Sequence, residues 1–161
     1  MSAKTNDSAT LPALLDALTA RFGERVLESH FEKGELSVRV ARESLLAVLQ
    51  YLRDEAGFNA LNDLIGLDNV NTPVAGRPRF SVLYQLYKFP EALRIRIVVD
   101  TAEAEPLPSI IGLYQSADWA EREIFDMFGL RFDGHPHLTR IYLDDDFKGH
   151  PLRKEFPLAG A

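Results

Sequence analysis

Phe80-Ser-Val-Leu-Tyr-Gln-Leu-Tyr-Lys-Phe-Pro-Glu-Ala-Leu-Arg-Ile-Arg-Ile-Val-Val99 is the stretch on which the reading of the fold turns. Phe80, Val82, Tyr84 and Leu86 fall on one side of an extended chain. Leu93, Ile95, Ile97 and Val99 do the same after them, with Arg94 and Arg96 on the other side. Alternation of this kind marks a half-buried strand. Phe89-Pro90-Glu91-Ala92 between the two runs is short enough to turn a hairpin. Upstream, Leu36, Val38 and Val40 alternate with Ser37 and Arg39, which predicts another strand. Leu45, Leu46, Leu49 and Leu52 recur at helical spacing, in a helix expected to end near Gly57. A first helix, capped by Thr10 and stopped by Gly23, places Leu11, Leu14, Leu15, Leu18 and Phe22 on one face, after a loose tail over residues 1–9. Residues 58–66 fit neither period, and 69–78, with two prolines and a glycine, read as loop. Helix, strand, helix and then antiparallel strands predict an α+β fold, a small mostly antiparallel sheet with helices packed on one face.

Composition narrows what such a fold can do. The chain has 161 residues, of which 46% are hydrophobic and 26% charged, which is globular rather than disordered composition. It has no cysteine, and so no disulfide scaffold, thiolate zinc site, protein-ligated iron–sulfur cluster or cysteine nucleophile. Twenty-four acidic against eighteen basic residues leave a net charge of −6, which argues against a nucleic-acid partner. No stretch reads as a signal peptide or a membrane span.

Pro106 and Pro108 mark a change of character, and divide an α+β domain over 1–105 from a second segment over 106–161. Ser109 to Tyr114 is expected to form a short helix. Asp118-Trp-Ala-Glu121 has capping-box spacing, and the helix it opens runs to Phe128 with Gly129 as its stop. On that helix Arg122 and Asp126 are spaced to pair, and Glu123 and Asp126 share a face. Its charged side reads as a solvated face; a carboxylate pair for acid–base work is the sharper alternative. Leu130 to Ala161 has no sustained period. Yet Phe132, Leu138, Ile141, Tyr142, Phe147, Leu152 and Phe156 need burial, which predicts an extended irregular C-terminal arm lying on a surface.

The arm contains an echo. Gly134-His135-Pro136 with Leu138 and Arg140 is followed by Gly149-His150-Pro151 with Leu152 and Arg153. Each copy joins a permissive glycine, an imidazole, a rigid proline and a guanidinium fork, which suits a structural clasp. The competing reading is a metal site built from His135, His137 and His150 with Asp144, Asp145 and Asp146, as in a stand-alone hydrolase. No glycine-rich nucleotide motif, Walker lysine or nucleophile elbow is present in the sequence.

The run from Glu121-Arg-Glu-Ile-Phe-Asp-Met-Phe-Gly129 through both Gly-His-Pro turns to Leu152-Arg-Lys-Glu-Phe-Pro157 resembles, without a gap, the signature of the C-subunit family of proton-pumping NADH:quinone oxidoreductase (respiratory complex I, bacterial NDH-1). The preceding hundred residues match that family only in layout. The resemblance implies a structural, non-redox member of the peripheral arm with no cofactor of its own, FMN and iron–sulfur clusters residing in partner subunits. It implies packing against the quinone-site D subunit and the iron–sulfur subunits, on the cytoplasmic side of the bacterial cell membrane. Related hydrogenases and ferredoxin- or deazaflavin-dependent complexes share the signature. Many relatives continue beyond the position of Ala161, and some are fused to a D subunit. On this basis the expected partner interface comprises Trp119, Glu121, Arg122, Glu123, Asp126, Phe128 and Gly129 of the helix. From the arm it comprises Gly134, His135, Pro136, Arg140, Gly149, His150, Pro151, Arg153 and Lys154.

Overall fold

Where the apolar alternation is strictest, the chain is sheet. A computed structural model describes residues 7–157. In chain order the elements are α1 (Asp7–Phe22), β1 (Val26–Glu32), β2 (Glu35–Val40), α2 (Leu45–Asp54), β3 (Ala60–Asp68), β4 (Phe80–Lys88), β5 (Leu93–Thr101), β6 (Leu107–Pro108), α3 (Ala117–Phe128) and β7 (Phe132–Asp133). Five strands form one mixed sheet in the order β1-β2-β5-β4-β3. β1 and β2 are antiparallel, and β2 lies parallel to β5 with Val38 opposite Ile97. The fold is α+β, as the sequence predicts.

By internal contacts the chain forms two units, Met1–Asp63 with Leu83–Val99, and Leu64–Val82 with Asp100–Ala161. The first unit buries Leu11 and Leu18 of α1, Leu36, Val38 and Val40 of β2, and Leu45, Val48, Leu49 and Leu52 of α2. Each such side chain contributes roughly 1.5–3 kcal/mol on removal from water. Leu46, expected inward, is exposed: Val48 takes its place, because the buried stripe follows 45, 48, 49 and 52. The N-terminal helix begins at Asp7, so Thr10 lies inside it rather than capping it, and residues 7–9 are helical; residues 1–6 lie outside the described residues.

In the second unit, the short parallel pair β6–β7 joins Leu107 to Phe132 and Pro108 to Asp133. Residues 109–114 make turns, not the expected helix; the Leu113 and Tyr114 amides both reach the Ile110 carbonyl. Residues 134–157 carry turns and neither helix nor strand. Gly66 of β3 lies against Phe128 of α3, whose ring would stand 2.7 Å from a Cβ at that position. The glycine is what admits the aromatic ring so close to the strand.

Candidate functional site

A helix leaves its last carbonyls without partners, and the way α3 solves this defines the site. Gly129 turns left-handed at φ 74° and returns its amide to the Phe125 carbonyl at 2.8 Å. The next three carbonyls are met by residues 150–153. His150 Nδ1 donates to Asp126 O at 2.9 Å, the Leu152 amide to Met127 O at 3.1 Å, and Arg153 Nε to Phe128 O at 2.7 Å. The second Gly-His-Pro-Leu-Arg copy is therefore a C-terminal cap for the helix that precedes it. Gly149, at φ 93°, and Pro151 set the turn that aims these groups.

The first copy holds the other end. The His135 ring is fully buried, with Nε2 3.3 Å from the Asp118 carbonyl oxygen and 3.3 Å from Asp118 Oδ1. Glu121 Oε2 lies 4.0 Å from the same nitrogen. The capping box expected from Asp118 and Glu121 does not form, and the Ser116 N-cap makes no side-chain capping hydrogen bond to the helix. Glu121 is instead drawn to the β6 side, where its carboxylate accepts from the Ser109 hydroxyl and the Ile110 amide, each at 2.7 Å.

Burial pushes the Glu121 carboxyl above the ordinary glutamate value, against the Ser109 and Ile110 hydrogen bonds and the nearby His135. A folded value above the unfolded one favours the protonated carboxyl in the fold. That contribution is present below the unfolded value and is lost as pH rises through the folded one. Glu121→Gln keeps an acceptor for Ile110 and a donor for Ser109 while removing the charge. Urea unfolding between about pH 4.5 and 8 should show the variant gaining on the native chain as pH rises. A pH-independent difference would contradict this.

Within the last turn of α3, the buried Asp126 gathers the arm. Its Oδ1 accepts from Arg140 at 2.7 Å. Its Oδ2 accepts from the amides of Ile141, Tyr142 and Leu143 at 3.1, 2.9 and 3.2 Å. Burial raises this carboxyl, but the amides and the guanidinium outweigh burial and hold it below the ordinary aspartate range. Arg140 also donates to the carbonyls of Phe147 and Gly149. The expected Arg122–Asp126 pair is absent because each has a better partner. Arg122 donates to Thr139 O and Oγ1 at 3.1 and 3.0 Å and lies over the Trp119 ring. Of the helix carboxylates read as a solvated face, Glu123 is exposed, while Glu121 and Asp126 are fully buried.

The end of the arm is fixed by residues that no sequence motif singles out. Arg153 reaches Glu103 at 2.7 Å and lies over the Phe80 ring. The Lys154 amide donates to Asp68 at 2.9 Å. Arg79 bridges Asp68 and Glu155, and its guanidinium holds the Asp68 carboxyl well below the usual range. Asp68, Arg79, Glu103 and Ser109 carry no local motif; only the fold brings them here.

His135 and His150 sit at opposite ends of α3 and share no ligand geometry. Among the described residues no group of three or more histidine, aspartate or glutamate side chains could hold a metal ion, so the structure does not assemble His135, His137 and His150 with Asp144, Asp145 and Asp146 as a metal site. With the polar anchors engaged, the aromatic side chains of residues 117–157 left outward are Trp119, 62% exposed, Tyr142, 64% exposed, and Phe147, 37% exposed; Leu152 of the same segment is 51% exposed. Gly134, Pro136 and Lys154 are exposed, Pro151 is half-buried, and Phe128 is buried.

Residues 38–161 match the family described as respiratory-chain NADH dehydrogenase, 30 Kd subunit. The C subunit of NADH-quinone oxidoreductase from Rhizobium rhizogenes is 44% identical over 155 residues, 95% of this chain and 76% of that protein. Its counterpart from Citrifermentans bemidjiense is 42% identical over 144 residues, 89% of this chain and 87% of that protein. Among solved structures, the trypsin-resistant fragment (1-134) of Nqo5 superposes with a TM-score of 0.71 at 32% identity, covering 80% of this chain and 99% of that one. A chain of an archaeal respiratory membrane complex, the membrane-bound sulfane sulfur reductase, superposes at 0.76 with 16% identity over 92% of this chain and 86% of its own, a likeness of fold alone.

Proposed function

This chain belongs to the family of respiratory-chain NADH dehydrogenase 30 Kd subunits, and we propose that it works as a structural, non-redox subunit of the peripheral arm of an NADH:quinone oxidoreductase. The observation that carries this reading is the division of labour in residues 117–157. The guanidinium, imidazole and carboxylate groups turn inward to hold α3, while Trp119 and Tyr142 remain exposed on the scaffold so stiffened. Large aromatics held rigidly at a surface are the side chains that anchor protein interfaces.

In this reading the partners are the quinone-site D subunit and the iron–sulfur subunits. FMN and the clusters reside in those partners, consistent with a chain that contains no cysteine. Electrons pass from NADH to quinone, coupled to proton translocation, with this protein on the cytoplasmic side of a bacterial membrane. Membrane association through the complex agrees with a chain in which no described helix is long and apolar enough to cross a membrane.

A tagged chain purified gently from membranes should bring flavin- and cluster-bearing proteins and NADH:quinone activity with it. Trp119→Ala with Tyr142→Ala should weaken that association by about 2 kcal/mol or more, roughly thirtyfold in affinity, while the isolated variant unfolds at the native urea midpoint. Native-like assembly of the double variant, or a tagged chain that leaves the membrane alone, would contradict the proposal.

A further inference from the structure

The two echoed histidines use opposite tautomers. His150 Nδ1 faces the Asp126 carbonyl oxygen at 2.9 Å, and an oxygen of that kind only accepts, so Nδ1 carries the hydrogen. His135 Nδ1 receives the amide N–H of His137 at 3.0 Å, so it is bare, and the hydrogen sits on Nε2, aimed at Asp118. An imidazolium carries hydrogens on both nitrogens. His150 can become cationic and keep its bond. His135 cannot, because a proton on Nδ1 would set N–H against the His137 N–H.

We propose that His135 is a proton-operated latch on the C-terminal arm: a proton taken up at Nδ1 breaks the hydrogen bond that the His137 amide N–H donates there and opens the turn at residues 134–137 where the arm leaves the N-terminal end of α3. The released ring has a partner in place. Asp118 Oδ1 is buried, makes no hydrogen bond, and stands 3.3 Å from Nε2. Among the described residues, the charged groups within 4.0 Å of the ring nitrogens are Asp118 and Glu121, both from α3. From the segment before α3 the neighbouring polar group is the uncharged Ser109, bound to Glu121, and from the arm it is the His137 amide, whose own imidazole belongs to an exposed residue. Glu121 itself takes a proton without rearrangement, because the Ser109 hydroxyl can reverse from donor to acceptor. Movement therefore belongs to His135. Opening frees the first of the arm's anchors and leaves the second, at His150 and Arg153, closed.

The test is a heteronuclear NMR titration of the full chain with nitrogen-labelled histidine. At neutral pH His135 should show the Nε2–H tautomer and His150 the Nδ1–H tautomer. On acidification the His135 ring and the His137 amide should titrate together, and exchange of that amide should rise on the order of tenfold. The Leu152 amide, beside His150, should not follow. His135→Asn offers the same amide an oxygen acceptor that does not titrate, and should keep the neutral-pH spectrum of the turn while abolishing its pH response. A protonated Nδ1 on His135 at neutral pH, an indifferent His137 amide, a ring that stays neutral until the chain unfolds, or a pH response that survives in His135→Asn would each overturn the proposal.

Discussion

Truncating Asp126 to alanine is expected to release the arm and to cost the chain about 3–5 kcal/mol. The carboxylate is fully buried and accepts from Arg140 and from three successive amides, Ile141 to Leu143. Its removal strands four donors at once. The Arg140 guanidinium, only 14% exposed, loses its counter-charge, and three backbone N–H groups lose their acceptor. Alanine also leaves the carbonyls of Phe147 and Gly149 dependent on a guanidinium no longer held in place. Urea unfolding should show the loss. Limited trypsin digestion should show its location, with new cleavage after Arg140 and Lys148 while β4 and β5 survive. Because the Asp126 carboxyl is held below its ordinary value of 3.8, its contribution is present above that pH and is lost as pH falls through the folded value. The stability gap between native chain and variant should therefore close in acid.

Gly129→Ala is expected to cost about 2–4 kcal/mol, from two additive sources. The residue sits at φ 74°, where a Cβ is strained against the chain. That Cβ would also stand 2.5 Å from His150 Nε2 and 2.7 Å from an Arg153 guanidinium nitrogen. Those are the side chains that cap the Asp126 and Phe128 carbonyls, so the methyl group ejects the cap as well as straining the turn. The measurement is a urea midpoint set beside that of Gly23→Ala. Gly23 has a similar φ of 56° and nothing within 4 Å of its Cβ, so it registers the backbone strain alone. Equal losses at the two positions would remove the packing contribution.

How far residues could be read in advance depended on whether their partners were near in sequence. β2, β4 and β5 alternate cleanly because one face of each strand is buried, and α2 and α3 show their stripes for the same reason. β1 escapes notice because it is exposed along nearly all its length, so Leu27 and Phe31 face solvent among charged neighbours and produce no pattern. β3 buries Leu61, Leu64 and Asp68, at intervals of three and four that imitate a helix face rather than the alternation of a strand, and Gly66 interrupts it to admit Phe128. Thr10 and the Asp118–Glu121 spacing resemble caps; in the fold Thr10 is interior to α1, and Glu121 serves Ser109 and Ile110 instead. The clasp character of the two Gly-His-Pro turns is legible from their residue types. What each turn grips is not, since Asp126 meets its donors 14 to 17 residues downstream and Asp68 meets the Lys154 amide 86 residues away. Local pattern carries no information on such pairings, and buried charge is decided by them.

The segment after α3 is fastened by its own chain, at both ends of that helix, before any partner arrives. Amide hydrogen exchange on the isolated full-length chain at neutral pH tests this directly. The amides of Ile141, Tyr142, Leu143, Leu152 and Lys154 should be protected, each being donated to Asp126, Met127 or Asp68. Exchange of these five at unprotected rates, while β4 and β5 stay protected, would contradict it.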